Sequence, residues 1–209
     1  KRIASRVARP LGGTVTSASY SQSSLFKQRT NFSDGIQNGE LGNFWGTIVF
    51  SAQATSYTFN LTGVDFAAPQ ATLDVSFHGL SFDAHTVQLT INGTTLADVT
   101  GNAQVPYSKS YVIPTSYLRE GTNTLGFRSA VSGDTSFFDS VNVGFARKFV
   151  ANQNRIQFYT SNYRLSKLEG FTTQNVRVFD MTAETAPILW TNLNIVQEGP
   201  TYSVRMPAA

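Results

Sequence analysis

Between Tyr57 and Ile91 the apolar residues fall on alternate positions in three successive segments, and this period of two restricts the fold more than any other feature. Tyr57, Phe59 and Leu61 share one face of the first segment. Ala71, Leu73, Val75 and Phe77 share one face of the second, with Thr72, Asp74 and Ser76 opposite. Val87, Leu89 and Ile91 alternate with Gln88 and Thr90 in the third. Such alternation is what a half-buried strand requires, because successive side chains point to opposite faces of a sheet. Asn92-Gly93 then leads into Thr94–Val99, the strongest short signal for a tight hairpin.

Further strands are expected at Ser108–Ile113, Thr122–Arg128 and Phe137–Phe145, with turns around Glu120-Gly121 and Ser132-Gly133-Asp134. Strands at this spacing, with no amphipathic helix of any length, predict an all-β chain built as a jelly-roll-like two-sheet β-sandwich. After Phe149 the rhythm shortens. Ile156 and Phe158, Leu165 and Leu168, Val176 and Val178, Ile188-Leu189-Trp190 and Tyr202–Arg205 mark brief strands of a smaller C-terminal β unit. The expected organisation is a basic arm or linker over 1–29, a β-sandwich over 30–148 and the smaller β unit over 149–209. A short strand near Thr14–Ala18 is expected within the arm.

A chain of 209 residues buries about 70% of its unfolded surface, so a core forms without covalent staples. There is no cysteine, which removes disulfides, thiolate metal sites and a cysteine nucleophile. No apolar run reaches membrane-spanning length. Lys1–Arg6 has no apolar run behind it and does not read as a signal peptide. The formal charge of +3 is uneven. Residues 1–29 carry six basic and no acidic side chains, whereas the rest holds 10 basic and 13 acidic ones. The basicity belongs to the arm, and no aromatic-rich basic stripe accompanies it, so no nucleic-acid partner is expected.

The residues that carry chemistry are few. Only His78 and His85 supply imidazole, both beside the Gly79–Ala84 loop, and no nucleophile elbow is present. His85 is in phase with Val87 and is expected to point inward. The two histidines with no third ligand do not specify a zinc site. Asp139 shares parity with Val141, Val143 and Phe145, which predicts an inward carboxylate. A hydrogen-bonded structural role is the plainer interpretation, and a bound calcium ion the sharper one. No other cofactor is expected. Aromatic residues supply the remaining candidate site: Trp45, Tyr107, Tyr111 and Trp190 would stack on a polysaccharide if exposed, whereas aromatics in sandwiches mostly fill the core. Asn31, Asn60 and Asn92 each begin a glycosylation triplet, a pattern common by chance.

The run from His85 through Asn92-Gly93 to Thr94, the stretch Tyr117–Leu125, the segment Phe138–Val143 and the segment Ala146–Ala151 occur in an order that resembles one family. It is the region preceding the catalytic domain of gingipain-type cysteine peptidases, which include the sortase-like member of the type IX secretion system. There, His-x-Val and Asn-Gly lead through a Leu-x-x-Gly-x-Asn turn to Asp-x-Ile/Val and then Tyr-Pro-Arg. Phe145-Ala146 replaces the Tyr-Pro of that pattern, and Val176–Asp180 resembles the entry to the catalytic half. The resemblance implies a secreted or surface-attached bacterial protein, with catalytic cysteine and histidine in a caspase-like domain beyond residue 209. No catalytic residue carries over. The expected function is therefore a non-catalytic accessory module that packs on or orients a downstream domain of the same polypeptide. The alternative is a carbohydrate-binding module.

Overall fold

The computed structural model describes residues 3–8, 18–36, 42–51, 53–159 and 166–206. In chain order the strands are β1 (Ala4–Val7), β2 (Ser19–Lys27), β3 (Asn31–Phe32), β4 (Phe44–Trp45), β5 (Ile48–Phe50), β6 (Thr55–Leu61), β7 (Gln70–Gly79) and β8 (Ala84–Ile91). They continue as β9 (Thr94–Asn102), β10 (Pro106–Pro114), β11 (Gly121–Ser129), β12 (Thr135–Lys148), β13 (Lys167–Phe171), β14 (Val178–Asp180), β15 (Ile188–Thr191), β16 (Ile195–Glu198) and β17 (Thr201–Arg205). Thr115–Tyr117 forms a single 3-10 turn. The protein is all-β, as the alternation predicts, and among the described residues no helix is long and apolar enough to cross a membrane. Residues 14–17 of the strand expected near Thr14–Ala18 lie outside the described residues, as does Leu165.

The chain divides into two compact units, residues 21–146 and residues 1–20 with 147–209. The first is the sandwich. One sheet runs β10-β7-β12-β2, with β5 also paired to β12, and the other runs β6-β11-β8-β9. Their apolar faces meet because the alternation places Leu73, Val75, Phe77, Val141 and Val143 on one side and Leu89, Ile91, Leu125 and Phe127 on the other, all buried. Phe77 meets Phe127 edge-on at 5.5 Å, and Phe127 stacks on Phe138 at 4.9 Å, so the aromatic contacts cross between the sheets. Each such side chain contributes about 1.5–3 kcal/mol of burial.

At one end of the sandwich the β8–β9 hairpin turns through Asn92 (φ 50°) and Gly93 (φ 87°), the left-handed conformations that this two-residue turn demands. Asn92 also reaches sideways, donating to the Tyr117 carbonyl at 2.8 Å and to Asn123 Oδ1 at 2.9 Å. Asn123 is fully buried and uses its whole amide. Its oxygen also accepts from the Arg119 N–H at 2.8 Å, and its nitrogen donates to the carbonyls of Arg119 and Gly121. Gly121 sits at φ +82°, and Leu118 is buried. The Leu-x-x-Gly-x-Asn pattern is thus a self-closed turn clipped to the hairpin.

The second unit has its own core of Tyr20, Phe149, Leu168, Phe171, Val178, Trp190 and Val204. It holds a three-stranded sheet β1-β15-β14 and another ordered β13-β17-β16. β1 pairs in parallel with β15, Arg6 opposite Trp190, so part of the segment expected as an arm is a strand of this unit. β2, covering most of the remaining described part of 1–29, belongs to the sheet with β12. The boundary near the C-terminal side falls between residues 146 and 147.

Replacing Asn123 by Ala removes the partner of four part-buried groups at once: the Asn92 amide, the Arg119 N–H and the carbonyls of Arg119 and Gly121. The expected cost is about 1–3 kcal/mol, read as a lower urea midpoint with an unchanged slope.

Candidate functional site

The far end of β8 from the Asn-Gly turn begins at His85, which alternation aims inward and which is buried with only 1% exposure. Around it the Leu80–Asp83 loop, the turn after β9 and the turn before β12 supply polar groups. His85 Nδ1 lies 2.5 Å from Asp134 Oδ1, and its Nε2 lies 2.9 Å from the Ala103 carbonyl. Ser129 donates to Asp134 Oδ2 at 2.6 Å, and Ser81 donates to Asp134 Oδ1 at 3.0 Å. Tyr107 stacks on the imidazole at 5.3 Å with the two rings nearly parallel, and donates to Ser136 Oγ at 2.7 Å. Ser136 Oγ in turn stands 3.3 Å from His85 Nδ1.

This arrangement fixes the protons. A carbonyl oxygen only accepts, so Nε2 carries hydrogen. Burial raises the Asp134 pKa, but hydrogen bonds from Ser129, His85 and Ser81, with the charge on His85, outweigh it and hold the carboxyl below its ordinary value. His85 and Asp134 thus form a buried histidine–carboxylate hydrogen bond, with side-chain exposures of 0% and 1%.

The cluster contains the residue types of a nucleophile, base and orienting acid, yet its geometry is not theirs. A general base needs a free nitrogen lone pair within reach of the hydroxyl proton. Here both nitrogens are already engaged, Nδ1 by Asp134 and Nε2 by the Ala103 carbonyl, Ser136 shares the nitrogen that Asp134 occupies, and the ring is buried. Gly79 completes the seal, because a Cβ at that position would overlap both the Ala103 carbonyl and His85 Nε2. Ala103 itself holds φ 57°, a backbone conformation that L side chains rarely adopt, and so aims its carbonyl at the ring.

The other sequence candidates lie elsewhere. Trp45 is buried on the outer face of the sheet, stacked on Phe137 at 5.7 Å and set 4.9 Å from His78, with its Nε1 donating to the Ile36 carbonyl at 3.0 Å. His78 is buried under that indole. Tyr107 is buried against His85 and Phe77, and loss of solvation, reduced by its bond to Ser136, pushes its phenol strongly up. Tyr111 is buried with its hydroxyl donating to the Ala97 carbonyl at 2.6 Å, and burial, helped by the Asp98 charge, pushes its phenol up to about 12. Trp190 is buried in the smaller unit with the Arg6 guanidinium 5.5 Å above its ring. All four rings are committed to packing, so none offers the open platform that polysaccharide stacking requires.

Asp139 departs from its expected position for a physical reason. A bulge between Phe138 and Ser140 shifts the register of β12 against β7, so parity counted back from Val141 fails there. The carboxylate is half-buried rather than inward and pairs with Arg29 at 3.2 Å. Among the described residues no group of three His, Cys, Asp or Glu side chains gathers as a metal site. Asp134, which sequence reasoning read only as a turn residue, is the partner that matters for His85. Its signal was a carboxylate just before a strand, too common to single out.

No protein-family model matches the chain, and no curated protein matches it. Its fold is similar to that of dimeric latent PorU from Porphyromonas gingivalis, with a TM-score of 0.67 and 11% identity over 99% of this chain and 20% of that chain. PorU is the sortase-like gingipain-type protein of the type IX system, so the resemblance seen in the sequence motifs has its counterpart in the fold. The chain spans about a fifth of that longer polypeptide. Weaker likenesses extend to the carbohydrate-binding module CBM36 in complex with calcium and xylotriose (TM-score 0.38, 13% identity, 58% of this chain and 98% of that one). They also include CBM35 from Cellvibrio japonicus Abf62 (TM-score 0.43, 15% identity, 61% and 97%). Scores at that level carry no functional weight.

Two outcomes follow for the buried pair. Because the Asp134 pKa is depressed on folding, its stabilisation is complete above the unfolded value near 3.8 and fades as pH falls through the folded value. The wild type is thus expected to lose stability below about pH 4 more steeply than Asp134→Asn, measured by urea titration at stepped pH. Gly79→Ala is expected to cost about 1–3 kcal/mol by overpacking, with the Tyr107 and His85 ring resonances displaced.

Proposed function

We propose that this chain is a non-catalytic accessory β-sandwich module of a larger secreted bacterial protein, where it packs on or orients a further domain of the same polypeptide. The observation that carries this proposal is the extent of the fold likeness, which takes in 99% of this chain and 20% of a much longer one. Support also comes from the motif residues. His85, Asn92, Gly121 and Asn123 all act as structural clips, and the polar cluster around His85 is closed to solvent. The proposal requires no resident metal, and the Asp139 carboxylate considered for calcium is engaged by Arg29.

Amide hydrogen exchange of this chain alone, compared with the same residues inside its full-length polypeptide, tests the proposal. The expected result is a contiguous surface of the module that becomes slower to exchange in the longer protein. Identical exchange in both contexts would contradict a packing role. A panel of polysaccharides, assayed with and without calcium, is expected to show no saturable binding. Saturable binding to one glycan would favour the carbohydrate-binding alternative.

A further inference from the structure

The turn between β8 and β9 carries a chemically reactive dipeptide, Asn92-Gly93. Glycine has no side chain to shield its nitrogen, so that nitrogen readily reaches the side-chain carbon of a preceding asparagine. The reaction needs only hydroxide and water. The Gly93 nitrogen gives its proton to hydroxide and bonds to Asn92 Cγ. The Cγ–Nδ2 bond breaks, and Nδ2 leaves as ammonia with a proton taken from water. Water then opens the cyclic imide to aspartate or isoaspartate.

Around Gly93 the described residues leave room for this chemistry. The residue is exposed, and a Cβ built on it would meet no atom within 4 Å. The restraint lies on Asn92. Its Nδ2 donates to the Tyr117 carbonyl at 2.8 Å and to Asn123 Oδ1 at 2.9 Å, and its Oδ1 accepts from the Thr124 N–H at 2.9 Å. Its own N–H donates to the Thr124 carbonyl at 2.8 Å. Both ends of the side-chain amide are fixed, so Cγ cannot swing over the Gly93 nitrogen. Both hydrogens of the leaving group are engaged as well.

We propose that Asn92 is a latent deamidation site, held as asparagine by this clip, and that opening of the clip is the step that exposes the turn to covalent change. Three side-chain hydrogen bonds of ordinary net strength hold the reactive arrangement back by on the order of a hundredfold. The change runs one way. The product carboxylate only accepts, so it sets oxygen against the Tyr117 carbonyl and Asn123 Oδ1, where a donor stood. Isoaspartate also lengthens the backbone of the turn. The clip cannot re-form in either product, and the β8–β9 hairpin loses its side-chain tie to the Tyr117–Asn123 segment.

Peptide mapping by mass spectrometry of the 209-residue chain, incubated at mildly alkaline pH both folded and unfolded in urea, tests the proposal. Asn92 is expected to convert on the order of a hundredfold more slowly in the folded chain. Asn123→Ala removes one acceptor of Nδ2 and is expected to raise the folded rate about fivefold. Gly79→Ala, which acts at the opposite end of β8, is expected to leave the Asn92 rate unchanged. Equal rates in the folded and unfolded chains would overturn the proposal. So would an Asn123→Ala rate equal to that of the wild type, or the same acceleration from Gly79→Ala. If Asn123→Ala does not fold, the wild-type rate in low urea decides. A rate that stays flat supports local opening of the clip, and a rise with the full slope of global unfolding refutes it.

Discussion

One end of the sandwich depends on the buried hydrogen bond between His85 and Asp134, whose side chains are 0% and 1% exposed. Removing these polar groups from solvent is costly, and their contact offsets that cost only if every remaining donor and acceptor is matched. The structure meets this condition with Ser129, Ser81 and the Ala103 carbonyl, each within 3.0 Å of its partner atom. Removing one partner leaves buried polar groups unsatisfied, typically at about 1–3 kcal/mol. That is a large share of the stability of an ordinary domain. The pair therefore joins three separate connections to β8, and the absence of a side chain at Gly79 is what lets them close together.

The same logic recurs at the opposite end of β8. There Asn92 and Asn123 make the corresponding side-chain clip with two amides. Between the two polar clusters the strand contributes only Val87, Leu89 and Ile91 to the core, all with no exposure. Buried polar networks of this kind specify register, since a shift of one residue would carry His85 and Asn92 away from their partners. The motif residues shared with the gingipain-type pattern thus gain a physical meaning as clips at the strand ends. That meaning needs no bound ligand.

Local sequence carried what local physics decides. The alternation in β6, β7 and β8 and the Asn-Gly turn were legible because period and turn chemistry act over a few residues. Long-range features were not. β1 finds its parallel partner Ile188–Thr191 at the other end of the chain, and nothing in Ala4–Val7 announces this. Asp139 was misplaced because a bulge, invisible to parity counting, sits between Phe138 and Ser140. Trp45 was a plausible sugar platform until the fold laid it over His78 and Phe137. Asp134 lies 49 residues from His85, and only the closing of the two sheets identifies it as the partner.

The central claim is that His85 is held at both ring nitrogens by structural partners and is not a base awaiting a substrate. Proton NMR of the imidazole ring, read through its attached nitrogen-15, measures this directly. The account predicts a ring N–H on Nε2 that exchanges slowly with water because the side chain is buried. Ring N–H protons that exchange freely with bulk water would contradict it and would return the cluster to the sites able to move a proton.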